Sequence, residues 1–253
     1  MRPPWSKKGD FGKVLIVGGS ERYVGAPTLA GMAALAAGAD IVKIAAPEKV
    51  AWTINSLSPD LITIKLKGEW LEKGHVKEIL KEDYDALLVG NGLGTKKETI
   101  DAVKLLLKRG EKMIIDADAF KAKRIPAGSI LTPHLGEFEL LFGERPEKLE
   151  ERKKAVKRWA EEQNCVILLK GHIDVVSDGK RVETMKAGTP HMTVGGTGDT
   201  LAGAVAALSC SKEKMEAAIM GAKMNGRAGD ESVKKYGAAT PSLLLKELSR
   251  FRP

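Results

Sequence analysis

The chain has little of what marks several protein classes. Aromatic residues are 5% of its 253 positions, which leaves few platforms for stacking single-stranded bases. Its two cysteines, Cys165 and Cys210, lie inside the apolar segments NCVILL and ALSC without metal-ligand spacing. They read as buried thiols of a reducing compartment rather than a disulfide, so the protein is expected to be cytoplasmic. The opening MRPPWSKKGDFGK lacks an apolar stretch with a small-residue cleavage site behind it, and no targeting segment is read there. The longest uncharged run, over 23–39, is short for a membrane span and is rich in Ala and Gly. That composition suits a helix packed closely on a sheet. There is no GxxxxGK[ST], GxSxG or HExxH. Gly90, Gly92 and Gly94 make GxGxG, but Thr95 follows where a dinucleotide-binding turn would enter its helix. The four histidines, His75, His134, His172 and His191, show no metal-ligand spacing either.

What is present describes a globular α/β chain. Hydrophobic residues make up 43% and charged residues 29%, which excludes a disordered polymer. Lys and Arg number 41 against 33 Asp and Glu, a formal charge of +8 spread along the sequence. Such a balance suits anionic small molecules such as phosphates at least as well as nucleic acid. A nucleic-acid-binding protein is the alternative from another class, but no basic cluster or aromatic series concentrates the charge.

Short β-branched runs alternate with segments of helical period. KVLIVGG, ADIVKIAAP, DLITIKL, DALLVGNG, KMIIDAD, SILTP and CVILLKG read as strands, several apolar on both faces, as in a parallel sheet covered by helices. Helices are expected over 26–37, 47–53, 71–81, 96–108, 146–163, 199–208, 212–235 and 242–248. HIDVVSD and RVETM, joined at Asp178 and Gly179, read as an antiparallel hairpin at one edge. The alternation predicts a three-layer α/β/α domain. No linker or repeat divides the chain, so one domain over 1–253 is expected. Ligands of open α/β sheets bind beyond the carboxyl ends of the strands. Gly18 and Gly19, Gly90 to Gly94, Asp116 and Asp118, His134, and Lys170 with Gly171 all fall at such ends.

The most specific segment is GTPHMTVGGTGDTLAG at 188–203. Gly195, Gly196, Thr197 and Gly198 form a loop entering a helix near Asp199, and freed backbone N–H groups at a positive helix end make a cradle for phosphate. Asp199 reads equally as an N-terminal cap. Among phosphates, however, a carboxylate serves best by accepting a proton from a hydroxyl that attacks the terminal phosphate. His134 after Pro133 reads as a helix-start histidine bonded to backbone, Lys170 as an edge lysine or a phosphate contact, and Asp118 as the cap of a short helix. The charged run 151–157 reads as a solvated helix face. Met215, Met220 and Met224 read as core or subunit-contact residues.

Gly-Gly-Thr-Gly-Asp before a small-residue helix resembles the anion-hole motif of the ribokinase-like superfamily. Within it the chain resembles the ADP- or ATP-dependent NAD(P)H-hydrate dehydratases, the carbohydrate-kinase-like family that repairs hydrated nicotinamide cofactors. The resemblance runs through GKVLIVGGS, YVGAPTLAGMAALAAGADIV, VGNGLG, IIDADAF, ILTPHLGEFELLFG, VILLKG, GTPHMTVGGTGDTLAG and NGRAGD, nearly the whole chain. ILTPHLGEFELL and the glycine-rich loop are its specific parts.

The resemblance implies a ribokinase-like fold with a mostly parallel sheet. It implies a hydrated NADH or NADPH (NADHX or NADPHX) against Ala26 and the turn holding Gly92, touching His134 and presenting its hydroxyl to Asp199. It implies an ADP or ATP along Lys170, Gly171 and His172, with phosphates on Gly195, Gly196, Thr197 and Gly198. Asp116 would support Mg2+ or the floor of the site. The implied reaction phosphorylates the hydroxyl and expels phosphate, a net dehydration of the S epimer. Two positions depart from the family pattern, His191 in place of a glycine and Asn225 in place of a histidine; both would tune the nucleotide side. The epimerase domain fused in many relatives is not expected here. A vitamin-precursor kinase of the same superfamily is the alternative enzyme. Gly221, Ala222, Gly226, Ala228 and Gly229 would allow close helix packing within or between subunits, and a homo-oligomer, a tetramer for example, is expected.

Overall fold

A computed structural model describes residues 3–252. Seven strands run parallel at its centre: β1 (Lys13–Val17), β2 (Ile41–Pro47), β3 (Ile62–Leu66), β4 (Ala86–Val89), β5 (Met113–Ile115), β6 (Ile130–Leu131) and β7 (Val166–Leu169). The antiparallel strands β8 (Asp174–Ser177) and β9 (Val182–Met185) complete one edge, giving the order β3-β2-β1-β4-β5-β6-β7-β8-β9. All seven expected strands and the edge hairpin are present. At the hairpin turn Asp178 accepts from the backbone N–H groups of Lys180 and Arg181.

Strand periodicity explains the two cores. In β1, Val14 and Ile16 face one helix layer while Leu15 and Val17 face the other, and all four are buried. The first layer contains α1 (Gly25–Ala37), α2 (Glu48–Leu57), and the later helices α7 (Thr197–Ser209), α8 (Lys214–Tyr236) and α9 (Pro241–Leu248). The second contains α3 (Val76–Ile79), α4 (Lys97–Arg109), α5 (Leu135–Phe142) and α6 (Leu149–Glu162).

Two local expectations change. The helix read over 71–81 is a short 3-10 turn, Lys73–His75, followed by the single turn α3. Helix α5 is not among the expected helices, although His134 reads as a helix start; its LGEFELLF has apolar residues at Leu135, Phe138, Leu140, Leu141 and Phe142, too many for a clear stripe. The glycines and alanines of α8 pack inside the chain: a side chain at Gly221 would meet Val205, and one at Gly229 would meet Met192. This is the packing within the chain that the sequence allowed. Met215 and Met224 are core, as expected. Cys165 and Cys210 are both free, Cys165 buried and Cys210 half-buried, with burial pushing each thiol up to about 12. Among the described residues no helix is long and apolar enough to cross a membrane.

Candidate active site

The carboxyl ends of β1, β4, β5, β6 and β7 form one rim, and their loops interlock there. Gly19 N–H donates to the Asn91 carbonyl across the rim. The chain turns sharply after β4: Gly90 has φ +135°, and a side chain on it would lie 1.7 Å from the Asp116 carbonyl oxygen. Only glycine fits that conformation and that approach. Gly94 N–H donates to Asp118 at 2.8 Å, so Asp118 ties down this glycine turn and does not cap the 3-10 helix Ala117–Ala122 that contains it. Ala117 itself has φ +49°. A non-glycine residue in that region is strained and persists where its surroundings impose it.

Asp116, at the end of β5, is 1% exposed and accepts three hydrogen bonds: from Thr132 Oγ1 at 2.8 Å, Lys170 Nζ at 3.0 Å and Asn91 Nδ2 at 3.1 Å. Lys170, at the end of β7, also lies 3.8 Å from Glu137. Burial pulls the Lys170 ammonium down, but the carboxylates of Asp116 and Glu137 outweigh it and hold it above its ordinary value. Burial pushes the Glu137 carboxyl up while Lys170 pulls it back.

Helix α7 starts at Thr197, two residues before the position expected, behind Gly196 at φ +100°. Thr197 Oγ1 donates to the Met192 and Val194 carbonyls, closing the loop on itself. Asn225 and Thr200 brace it from behind: Thr200 Oγ1 donates to Asn225 Oδ1 at 2.8 Å, and Asn225 Nδ2 donates to the Thr197 carbonyl at 3.2 Å. Asn225, expected to tune the nucleotide side, thus holds the start of α7 and also lines the cavity described below. His191 is exposed on a 3-10 turn.

Asp199 sits in the first turn of α7. Asn91 Nδ2 donates to its Oδ1 at 2.7 Å. Burial pushes its carboxyl up to about 7; the charges of Asp116 and Asp118 add to the rise, while the Asn91 hydrogen bond and Lys170 oppose it. A carboxyl poised near neutrality is matched to taking and returning a proton.

His134 caps α5. Its Nδ1 accepts from Gly136 N–H at 3.0 Å and Glu137 N–H at 3.2 Å, while Glu137 accepts from His134 N–H at 2.8 Å, a reciprocal capping box. The backbone-bonded histidine read from the sequence is what the structure shows. With Nδ1 accepting, the tautomer carries its proton on Nε2. Helices α5 and α7 cover opposite faces of the sheet, and their first turns flank Lys170: Glu137 lies 3.8 Å from its Nζ, and a Cβ on Gly198 would lie 3.5 Å from it.

A cavity of about 670 Å³ opens there, lined among others by His134, Lys170, His172, Pro190, Gly198 and Asn225. Gly171 and Thr197 also reach it; Gly195 and Gly196 shape the loop without lining it. A side chain at Gly198 would point at Lys170 Nζ from 3.5 Å. Ala26 and Gly92 meet on the other side: a Cβ on Gly92 would lie 3.0 Å from that of Ala26 and 2.7 Å from that of Tyr23. His134 therefore faces the cavity with the expected nucleotide residues, while Ala26 and Gly92 are joined to Asp199 through Asn91, the residue beside Gly92.

Sequence reasoning missed Asn91, Glu137 and Arg152. Arg152 was read within a solvated helix face, yet its Nη2 donates to the carbonyls of Leu169 at 3.2 Å and Lys170 at 3.1 Å and so fixes the end of β7. Among the described residues no cluster of three or more His, Cys, Asp or Glu could hold a metal ion. Asp116, read as a magnesium support or floor residue, is taken up by an ammonium, a hydroxyl and an amide. These residues do not fit a protein-built magnesium cage.

A family model described as NAD(P)H-hydrate dehydratase matches residues 14–250. The chain belongs to that family. The bifunctional NAD(P)H-hydrate repair enzyme of Pyrobaculum aerophilum is 46% identical over 97% of this chain, which spans 51% of that protein. The chain thus covers about half the length of several curated relatives it matches. The ADP-dependent (S)-NAD(P)H-hydrate dehydratase of Nitrosopumilus maritimus is 39% identical over 96% of the chain and 89% of the relative. The ADP/ATP-dependent NAD(P)H-hydrate dehydratase from Bacillus subtilis, co-crystallized with ATP/Mg2+, superposes with a TM-score of 0.85 at 29% identity, covering 100% of this chain and 94% of that one. The architecture is the ribokinase-like one expected.

Proposed function

We propose that this family member uses ADP or ATP to dehydrate hydrated NADH or NADPH, restoring the reduced nicotinamide. The observation that carries the reading is Asp199: a half-buried carboxyl pushed up to about 7, at the start of the helix behind the glycine loop and next to Gly198 of the cavity wall. The nucleotide lies along Lys170, Gly171 and His172, with its phosphates over the loop of Gly195, Gly196, Thr197 and Gly198. Free N–H groups at the start of α7 and the Lys170 ammonium receive the anion. The hydrated ring lies against Ala26 and Gly92, with His134 contributing from the cavity side.

Asp199 takes the proton of the ring hydroxyl as its oxygen bonds to the terminal phosphorus, and the phosphoanhydride bond breaks toward the nucleotide. The C–O bond of the new phosphate ester then breaks. Inorganic phosphate leaves with the bonding pair, the ring nitrogen's lone pair forms the iminium, and loss of the neighbouring proton restores the dihydropyridine. Magnesium would ride on the nucleotide's own oxygens; no step here depends on it. A homo-oligomer in the cytoplasm is part of the proposal, tested by light scattering and fractionation.

A vitamin-precursor kinase would share Asp199 and the cradle but keep the phosphate on its product. The two readings separate on one reaction: incubation of hydrated NADH with ADP or ATP and magnesium. The dehydratase reading predicts one inorganic phosphate per nicotinamide restored. A stable phosphorylated product overturns it.

A further inference from the structure

One polar side chain of the glycine turn after β4, that of Asn91, does not face solvent. Asn91 is fully buried, and both hydrogens of its Nδ2 are used on carboxylates: Asp116 Oδ2 at 3.1 Å and Asp199 Oδ1 at 2.7 Å. Its Oδ1 is buried with no partner among the described residues. The direction of the amide is set by those partners, since a flipped amide would set a carbonyl oxygen against two carboxylates. An orphaned buried acceptor is costly, and two charge-assisted donor bonds are what offset it. No other donor to Asp199 is found among the described side chains, so its Oδ2 keeps its lone pairs for a proton.

We propose that Asn91 is a positioning residue for the reaction: it orients Asp199, fixes Oδ2 as the proton-accepting oxygen, and keeps the carboxylate available in its ionised form. The inference rests on Asp199 being the base. The charged groups around Asp199 are Asp116 and Asp118, which disfavour its ionised form, and Lys170, which favours it but is already engaged by Asp116 and Glu137. Asn91 is the neutral donor that meets Asp199 directly, and it also screens Asp199 from Asp116 by bonding to both.

The test uses Asn91→Leu, which keeps the branched shape and removes the donors, and Asn91→Ser, which keeps one donor. The carboxyl stretch of 13C-aspartate-labelled protein is followed against pH, with Asp199→Asn identifying the band, alongside the pH profile of kcat/KM. Asn91→Leu is expected to raise the Asp199 midpoint by about one to two units, the worth of a hydrogen bond to a charged group. Asn91→Ser falls between it and the unsubstituted protein, and carries the test alone if Asn91→Leu does not fold. The acid limb of kcat/KM moves with the midpoint, while ADP affinity well above the midpoint stays within about twofold. An unmoved midpoint with a uniform loss of kcat at every pH overturns the proposal, because it marks a packing role. If Asp199→Asn turns over as the unsubstituted enzyme does, the base assignment fails and takes the catalytic half of this proposal with it; the infrared midpoint distinguishes that outcome.

Discussion

Lys170 Nζ lies 3.0 Å from Asp116 Oδ1, a bond between the ends of β7 and β5 across β6. It places one cation, which lines the cavity, among three acidic side chains, Asp116, Glu137 and Asp199. Removing one partner of a buried pair leaves the other uncompensated. Lys170→Met should therefore cost roughly 3 kcal/mol of stability at pH 8 and weaken nucleotide binding. Urea denaturation checks the first and calorimetry with ADP the second. Unchanged values in both would show that the pair is ornamental.

Asp199 is destabilising when charged. Its folded value of about 7 lies above the ordinary 3.8, so between those values the folded state holds the proton more often than the unfolded one, and stability falls as pH rises through that window. Asp199→Asn should be more stable than the unsubstituted protein at pH 8, by on the order of 3 kcal/mol. The gain should shrink as pH falls below about 7 and be nearly gone by about pH 4. Melting temperatures measured across that range give the answer; a constant difference would mean that the carboxyl is not raised.

The two central glycines of the loop should fail differently. A side chain at Gly196 meets Pro241 and Leu29 within 2.8 Å at φ +100°, so Gly196→Ala should lower stability by more than about 1 kcal/mol. Gly198 has only Lys170 Nζ near it, at 3.5 Å, and no positive φ. Gly198→Val should keep most of the fold and abolish nucleotide binding by filling the space over the N–H groups. Thermal shift with and without ADP separates the two, and undiminished affinity in Gly198→Val would displace the phosphates from this loop.

Much of this frame was legible in the chain. Short, mostly apolar runs between glycines announce a parallel sheet, and the rim follows from where the glycines fall. The site's wiring was not legible, because Asn91 meets Asp116 and Asp199 across 25 and 108 residues. A lone Asn between glycines reads as a turn residue until the partner strands are placed. Arg152 looked like one charge among many on α6, and only the register of β7 beside it reveals the carbonyls it serves. The true extent of α7 depended on Gly196 adopting a left-handed turn, which sequence spacing does not report.

His134 has two roles that substitution can separate. Its Nδ1 caps α5, and its imidazole faces the cavity. His134→Ser keeps a capping oxygen and should hold stability within about 0.5 kcal/mol, while His134→Ala loses about 1 kcal/mol. Both should raise KM for the hydrated nicotinamide to a similar extent. If only His134→Ala affects KM, the imidazole acts through the helix and not on the ligand.

The central claim is that Asp199 takes the hydroxyl proton in a nucleotide-driven dehydration. Its most direct measurement is recovery of reduced-nicotinamide absorbance from hydrated NADH with ADP or ATP and magnesium, by the unsubstituted protein and by Asp199→Asn, beside the nucleotide affinity of each. The account predicts recovery by the former and a loss of roughly two to four orders of magnitude in the latter. Nucleotide affinity should be held or raised, since a negative charge leaves the phosphate site. Near-normal turnover by Asp199→Asn together with lost nucleotide binding would contradict it.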